Sequence, residues 1–393
     1  MQASQPTRQA SDLRVFYAEV RARTEKLCEP LETEDYIPQP IVDVSPPKWN
    51  IAHTTWFFEE MILKNFSPGY QVFDDSFGFL FNSYYNSVGD RTARDHRGAL
   101  TRPTVKEVFA YRRYVDEKMD ELLKGAVPDD VRDLVTLGLN HEQQHQELFL
   151  TDLKYIFSLN PLFPAYRGDS VPETLVESEG EGFVNVEGGV HKIGYKGDGF
   201  CFDNELARHK VWLEDFEIAA RLVTNAEFMQ FIDAGGYSDF RLWHSDGWDW
   251  IHQNAVASPL YWYPRGEEWF NFTLGGFGRL IADAPVCHVS YYEAAAFAEW
   301  KGCRLPTEPE WETASDRFDW GKRWEWTNSA YLPYPGFTKQ PGAVGEYNGK
   351  FMINQMVLRG ASVATPAGHS RHTYRNFFQP HLQWQFTGIR LAR

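Results

Sequence analysis

The N-terminal part of the chain, up to about residue 157, carries apolar side chains at the spacing of amphipathic helices. A first helix is indicated by Leu13, Phe16, Val20 and Leu27. A second apolar run extends from Trp49 to Leu63 and directly follows two prolines, which are favoured in the first turn of a helix. These two patterns place a pair of helices in the first 65 or so residues.

Two more helical patterns follow. Apolar residues on one side of a third helix are Val105, Val108, Phe109, Val115, Met119 and Leu122. A fourth helix is expected to begin near Asp129 and to run to about Phe157. Four such helices predict a bundle with one long connection, near residues 66–103.

The pattern changes after this bundle. Residues 161–180 are rich in Pro, Gly and Glu and are predicted to be a linker between a helical domain, 1–160, and a second domain, 181–393. In the second domain we expect a hairpin from Phe183 to Tyr195 that turns at Gly188-Gly189, and two short helices, 224–234 and 290–301. The fold class is therefore multidomain, an α-helical bundle followed by an irregular α+β domain.

Charge and composition exclude several functions. The net charge of −15 argues against nucleic-acid binding, since phosphates require a basic surface. Few clustered positive charges and no apolar run near the ~20 residues of a membrane span argue against a membrane protein. The N-terminal segment has no apolar core, so we expect no signal peptide. Four cysteines without paired spacing suit reduced thiols, and we expect a cytoplasmic monomer.

The strongest chemical pattern is the segment HEQQH in the fourth predicted helix. His141 and His145 lie four residues apart, so both imidazoles share one face of the helix. His53 lies in the middle of the second predicted helix, between Trp49 and Trp56, and a polar ring on an apolar bundle face needs a partner. The three histidines are therefore predicted to bind one metal ion.

The sequence leaves the metal open at this stage. HEQQH also matches the HExxH pattern of zinc peptidases, in which Glu142 would be the general base. The metzincin continuation is missing, and a gluzincin would need a downstream glutamate on another helix. Three imidazoles with open coordination positions suit either Zn(II) or Fe(II).

Longer motifs carry a resemblance to a known family. In the first half these are WNIAHTTWFFE, LFNSYYNSVG and NHEQQHQE; in the second half they include PVCHVSYYEAAAFAEW, RLPTEPEWE, GEYNGKFM and FTGIRLAR. Over essentially its whole length the chain resembles the EgtB-type sulfoxide synthases of ergothioneine biosynthesis. The resemblance implies a DinB-like bundle and a formylglycine-generating-enzyme-like domain with a C-type-lectin-like core.

The resemblance also implies the chemistry. His53, His141 and His145 would bind Fe(II), and the enzyme would use O2 to join a cysteine sulfur to the imidazole of trimethylhistidine (hercynine) as a sulfoxide. Arginine pairs well with a carboxylate. The family places the arginines that hold the sulfur donor after the SYYNSVG turn, which here implies Arg94 and Arg97, with Arg91 less central.

The second substrate is expected to meet residues from both halves of the chain. The resemblance implies that Gln144 contacts the imidazole and that Asn376 contacts the betaine, with Phe377 and Phe378 as aromatic walls for the quaternary ammonium. Family members that use γ-glutamylcysteine carry Trp-Asp after the Arg-Asn dipeptide. This chain has two phenylalanines there, so free cysteine is the predicted donor, with γ-glutamylcysteine as the alternative.

A tyrosine is expected to donate a proton or an electron during oxygen activation. The better-known type of the family uses a tyrosine from the C-terminal domain, but no clear counterpart lies in the stretch TKQPGAV before Gly345. Tyr84 and Tyr85, which precede the arginines, are therefore the candidates. Tyr84 is favoured for the direct step and Tyr85 as its support.

Overall fold

The computed structural model describes residues 10–87, 89–166, 173, 175–176, 182–339, 345 and 348–393. The chain divides into two compact units, one formed chiefly by the chain up to Asn160 and the other chiefly by Pro161–Lys196 and the chain from Cys201 onwards. Most of the predicted linker, 161–180, lies outside the described residues, as does most of the stretch TKQPGAV.

The first unit contains the four predicted helices. Their bounds are α1 (Ala10–Cys28), α2 (Pro47–Phe57), α5 (Val105–Leu123) and α6 (Asp129–Ser158), with the single turns α3 (Lys64–Phe66) and α4 (Phe77–Leu80) between α2 and α5. Each long helix turns its apolar stripe inward, with residues such as Val115, Leu139 and Phe149 buried. The predicted bundle is confirmed.

One glycine lets α2 and α6 approach closely. A Cβ atom at Gly138 would lie 2.8 Å from the ring of Phe57 and 2.9 Å from that of Phe58. Both rings are buried and have no free space into which to move. Gly138 therefore sets the distance between the helix that carries His53 and the helix that carries the histidine pair.

The end of α2 is irregular and anchors the long connection. Phe58–Leu63 forms a π-helical segment, a geometry that is frequent near functional sites. Within it the buried carboxylate of Glu59 accepts hydrogen bonds from the hydroxyl of Tyr111 (2.6 Å), the hydroxyl of Tyr70 (2.5 Å) and the backbone N–H of Phe73 (3.1 Å). The connection thus begins at a fixed point on the bundle, and it later forms a 3-10 segment, Arg94–Ala99.

In the part of the second unit that the structure describes, short strands form four small sheets. The strands are β1 (Phe183–Val186), β2 (Gly189–Ile193), β3 (His209–Leu213), β4 (Phe216–Ala219), β5 (Trp262–Arg265), β6 (Glu268–Thr273), β7 (Gly276–Arg279), β8 (Trp324–Ala330), β9 (Met356–Gly360), β10 (Asn376–Phe378) and β11 (Thr387–Gly388). The largest sheet has the order β10-β9-β8-β11, with β11 parallel to β8 and the other pairs antiparallel.

The predicted hairpin at residues 183–195 is wrong. Strand β1 pairs with β4, and β2 pairs with β3, so the two strands flanking Gly188 do not pair with each other. The N–H of Gly188 donates to the carboxylate of Asp215 (2.7 Å), and a Cβ there would lie 2.6 Å from the carbonyl oxygen of Leu213. The glycine is needed because the backbone passes close to the β3–β4 turn at this point, and it does not reverse the chain.

The second unit has four described helices, and three of them begin at capping boxes. The four helices are α7 (Asn225–Asp233), α8 (Ser245–Gln253), α9 (Tyr291–Trp300) and α10 (Glu308–Ala314). In α7, α9 and α10 a Ser or Thr caps the helix, and the Glu three residues later bonds back to its N–H. The two predicted helices, 224–234 and 290–301, are confirmed, whereas α8, α10 and most strands were not predicted. Among the described helices, none has both the length and the apolar character to cross a bilayer.

Candidate metal centre

The three predicted histidines converge inside the bundle. One ligand atom from each of His53, His141 and His145 lies within 4.8 Å of the others. His53 comes from α2, and the pair comes from one face of α6, one helical turn apart. All three rings are in mutual contact, with centroid separations of 4.6 to 5.0 Å.

Hydrogen bonds to the outer nitrogens fix two of these rings. The Nδ1–H of His53 donates to the carbonyl oxygen of Phe81 (2.7 Å), and the Nδ1–H of His145 donates to the side-chain oxygen of Asn50 (2.8 Å). This leaves Nε2 of each ring as the inner nitrogen. Nε2 of His53 is buried and has no hydrogen-bond partner among the described residues. An orphaned buried nitrogen of this kind fits a metal ligand.

The electrostatics keep the triad neutral. Burial, and then the proximity of His141, lowers the pKa of His53 well below its usual value, and burial lowers the pKa of His141 to about 4. The pKa of His145 is also lowered, by burial first and then by the two other histidines. Neutral imidazoles are the form that binds a metal. The residues present therefore fit a divalent ion held by three nitrogen ligands.

Arg97 lies beside the triad. Its guanidinium carbon stands 3.4 Å from the ring centroid of Trp49, and that indole stacks on the ring of His53 at 4.6 Å. The side chain donates to the hydroxyls of Ser45 (3.0 Å) and Ser83 (3.0 Å). Burial, and then repulsion from Arg94, lowers the pKa of Arg97 to about 9. A buried guanidinium without a salt bridge in the described residues suits an incoming anion.

The two other predicted arginines are exposed. Arg94 donates to the backbone carbonyls of Val42 (3.0 Å) and Asp43 (2.9 Å), so its guanidinium holds a neighbouring loop. Arg91 donates to the carbonyl of Ser83 (3.2 Å). The positive charge of Arg94 adds slightly to the lowering of the pKa of His145, after burial, the two other histidines and Arg97.

The two candidate tyrosines differ in environment. Tyr85 is buried, and its ring lies 5.4 Å from that of Trp56, which in turn stacks on His53. Tyr84 is half-buried and stacks on Tyr85 at 4.7 Å. Tyr85 is thus one aromatic ring removed from a predicted ligand, and Tyr84 is two removed.

The residues predicted to meet the second substrate lie in different units. Gln144 is half-buried beside His145 on α6, whereas Asn376, Phe377 and Phe378 form β10. Phe377 stacks on Tyr331 at 3.9 Å. The ring of Phe378 packs edge-on against Trp384 at 5.4 Å. Both phenylalanines therefore take part in packing within their own unit.

Three positions around the triad were not predicted. Asn50, Asp152 and Ser45 are buried, and they join His145 to Arg97 by hydrogen bonds. The spacing of Asp152, seven residues after His145 and therefore on the same face of α6, was the available signal.

Glu142 does not serve the metal face. Its carboxylate is fully buried and accepts hydrogen bonds from Arg21 (2.8 Å), Arg112 (2.7 Å) and Thr24 (2.6 Å). Burial alone would raise its pKa, but Arg112 and Arg21 lower it to about 2. A general base must accept a proton near neutral pH and reach a metal-bound water. Glu142 is committed to α1 and α5 instead, which argues against the zinc-peptidase alternative.

Replacing Glu142 tests this assignment. Glu142→Gln should lower the free energy of unfolding by about 3–5 kcal/mol, since it leaves Arg21 and Arg112 without their counter-charge. The wild-type contribution should be complete above about pH 4.5 and be lost as the pH falls toward 2, because the folded-state pKa is depressed. Urea unfolding across this range measures both effects. The exposed Glu121→Gln is the control, and equal stability of the two variants would contradict the assignment.

Comparison with known proteins adds the family. Residues 17–149 match the DinB superfamily, and residues 169–330 match the sulfatase-modifying factor enzyme 1-like domain. Hercynine oxygenase of Mycolicibacterium smegmatis is 30% identical over 89% of this chain and 91% of its own length, and that of Mycobacterium tuberculosis is 30% identical over 95% and 97%. Formylglycine-generating enzyme of Streptomyces coelicolor is 34% identical over 42% of this chain and 55% of its own length. The chain therefore belongs to the hercynine oxygenase (EgtB) family, and it is an oxidoreductase that carries a DinB-like bundle and a sulfatase-modifying-factor-like domain.

Proposed function

We propose that the protein is an Fe(II)- and O2-dependent sulfoxide synthase that joins cysteine to hercynine and forms hercynylcysteine sulfoxide. The observation that carries the proposal is the convergence of three neutral imidazoles within 4.8 Å, in a chain of this family. The reaction balances when cysteine gives up its S–H hydrogen and the imidazole its C–H hydrogen. One oxygen atom of O2 enters the sulfoxide and the other leaves as water.

The iron site would be formed by His53, His141 and His145. Their three nitrogens, which come from two helices, would occupy three coordination positions of the metal. The remaining positions would be open to small molecules. When bound, the iron would supply a site for thiolate, imidazole and oxygen and the electrons for oxygen activation. The protein's part is to hold the rings neutral and oriented, through the carbonyl of Phe81 and the amide of Asn50.

Arg97 would hold the carboxylate of cysteine, with Arg94 and Arg91 as outer positive charges. Its position on Trp49, directly over His53, puts a buried positive charge beside the metal ligands. A carboxylate entering this site would form charge-assisted hydrogen bonds with the guanidinium.

Hercynine has a quaternary ammonium that donates no ordinary hydrogen bond, so amide oxygens and ring faces suit it. Gln144, beside His145, would contact its imidazole. Asn376 would contact the betaine group, and Phe377 and Phe378 would add aromatic surface. Tyr84 would deliver a proton or an electron during oxygen activation, with Tyr85 holding it by ring stacking.

Reconstitution tests the function directly. Protein loaded anaerobically with Fe(II) and given cysteine, hercynine and air should consume O2 and yield hercynylcysteine sulfoxide, detected by mass spectrometry. His53→Ala, His141→Ala and His145→Ala should each lower the rate by more than about 100-fold, because removal of any one of the three ligands disrupts the coordination of the metal. The exposed His252→Ala is the control. Oxygen consumption without formation of the sulfoxide would contradict the proposal.

The sulfur donor is tested by competition. Cysteine should have a kcat/KM at least about tenfold above that of γ-glutamylcysteine, because β10 offers two apolar rings where a larger donor would need a polar partner. The two donors are supplied together at equal concentration and their products are counted. A preference for the dipeptide would contradict the role given to Phe377 and Phe378.

The tyrosines are tested by product ratio. Tyr84→Phe should divert turnover from sulfoxide to cysteine sulfinic acid, because oxygen activation then lacks its proton or electron donor. Tyr85→Phe should give a smaller shift of the same sign. Tyr114→Phe, whose hydroxyl bonds to the carbonyl of Gln71, is the control. An unchanged ratio in both test variants would remove these tyrosines from the mechanism.

A further inference from the structure

Asp152 is a buried carboxylate that the catalytic scheme does not use. It lies on α6, on the same face as the histidine pair, and is 3% exposed. A buried carboxylate is costly unless its oxygens are satisfied. Its oxygen Oδ2 accepts the backbone N–H of Ser45 at 3.0 Å and faces the amide nitrogen of Asn50 at 3.5 Å.

These two contacts lead in different directions. The oxygen of Asn50 accepts Nδ1–H of His145 (2.8 Å), so one arm ends on a predicted metal ligand. The hydroxyl of Ser45 accepts Nη1–H of Arg97 (3.0 Å), so the other arm ends on the guanidinium beside the triad. A single oxygen of Asp152 thus links Nδ1 of His145 to the guanidinium of Arg97 through Asn50 and Ser45.

The same two ends also meet through aromatic rings. Arg97 lies over Trp49, and Trp49 stacks on His53, whose ring touches His145. A polar path and an aromatic path therefore both connect Arg97 to the triad. A shift of Asp152 would act on both the metal ligand and the guanidinium.

We propose that Asp152 is a positioning residue shared by the metal centre and the anion-binding arginine, acting on His145 through Asn50 and on Arg97 through Ser45. The inference rests on the proposed function, in which Arg97 receives the carboxylate of cysteine. Asp152 is not one of the residues proposed to bind the metal or the substrate. It fixes the position of His145 relative to Arg97, and thus the distance between the metal centre that would bind the thiol of cysteine and the guanidinium that would bind its carboxylate.

Three variants separate the arms. Asn50→Ala removes the acceptor of His145, Ser45→Ala removes the hydroxyl that receives Arg97, and Asp152→Ala removes the shared carboxylate. Each protein is titrated with Co(II) alone and followed by its visible absorption. The Co(II) protein is then titrated with cysteine and followed by the sulfur-to-cobalt charge-transfer band. Neither titration needs turnover, so both give a result even where no sulfoxide is formed.

Asn50→Ala should weaken Co(II) binding about 10- to 100-fold, as loss of a ligand's outer hydrogen bond does. Ser45→Ala should weaken cysteine binding about fivefold and leave Co(II) binding unchanged. Asp152→Ala should weaken both Co(II) binding and cysteine binding. If this variant does not fold, Asp152→Asn, which keeps the side-chain shape, takes its place and should weaken both to a smaller extent. Thr151→Val, the buried neighbour on α6, is the control.

An Asp152 variant that alters only one of the two affinities, or neither relative to Thr151→Val, would overturn the proposal. Failure of the proposed function gives a different result. In that case the wild-type Fe(II) protein forms no sulfoxide, while the Co(II) protein still binds cysteine and still responds to Asp152.

Discussion

The desolvation of three imidazoles in the centre of a helical bundle is the constraint on which the rest of the site depends. Buried rings this close cannot all be charged, and their depressed pKa values follow from that. Neutral rings then need partners for their nitrogens. The carbonyl of Phe81 and the amide oxygen of Asn50 accept the outer N–H groups of His53 and His145, and one nitrogen from each of the three rings lies within 4.8 Å of the others. Close packing at Gly138 brings the two helices near enough for this.

The bundle separates its charges by function. Beside His141, the carboxylate of Glu142 is neutralised by Arg21 and Arg112 and faces α1 and α5, away from any role as a base. Arg97, on the other side, is stacked on an indole and donates only to hydroxyls among its described hydrogen bonds. Arg21 and Arg112 thus differ from Arg97, the arginine proposed to bind the substrate, in that a carboxylate is already paired with them.

Local patterns in the sequence predicted the helices, because helix formation depends on residues that are near one another in the chain. The apolar stripes of the first helices predicted the bundle, and the i, i+4 spacing of His141 and His145 predicted their shared metal-binding face. The two predicted short helices, α7 and α9, begin at capping boxes at Thr224 and Ser290, a signal that the sequence also carries. The same Thr-x-x-Glu pattern at Thr307 marks α10 and could have been used. The β1–β4 pairing could not be predicted in this way, because Gly188-Gly189 also fits a tight turn between β1 and β2. The partners of His145 were missed because Asn50 lies 95 residues away in sequence.

X-ray absorption at the iron edge, on protein loaded with one Fe(II) per chain, measures the proposed coordination most directly. The account predicts multiple scattering from three imidazoles at one iron, and a new sulfur shell when cysteine is added. Fewer imidazoles, or an iron that gains no sulfur neighbour in the presence of cysteine, would contradict it.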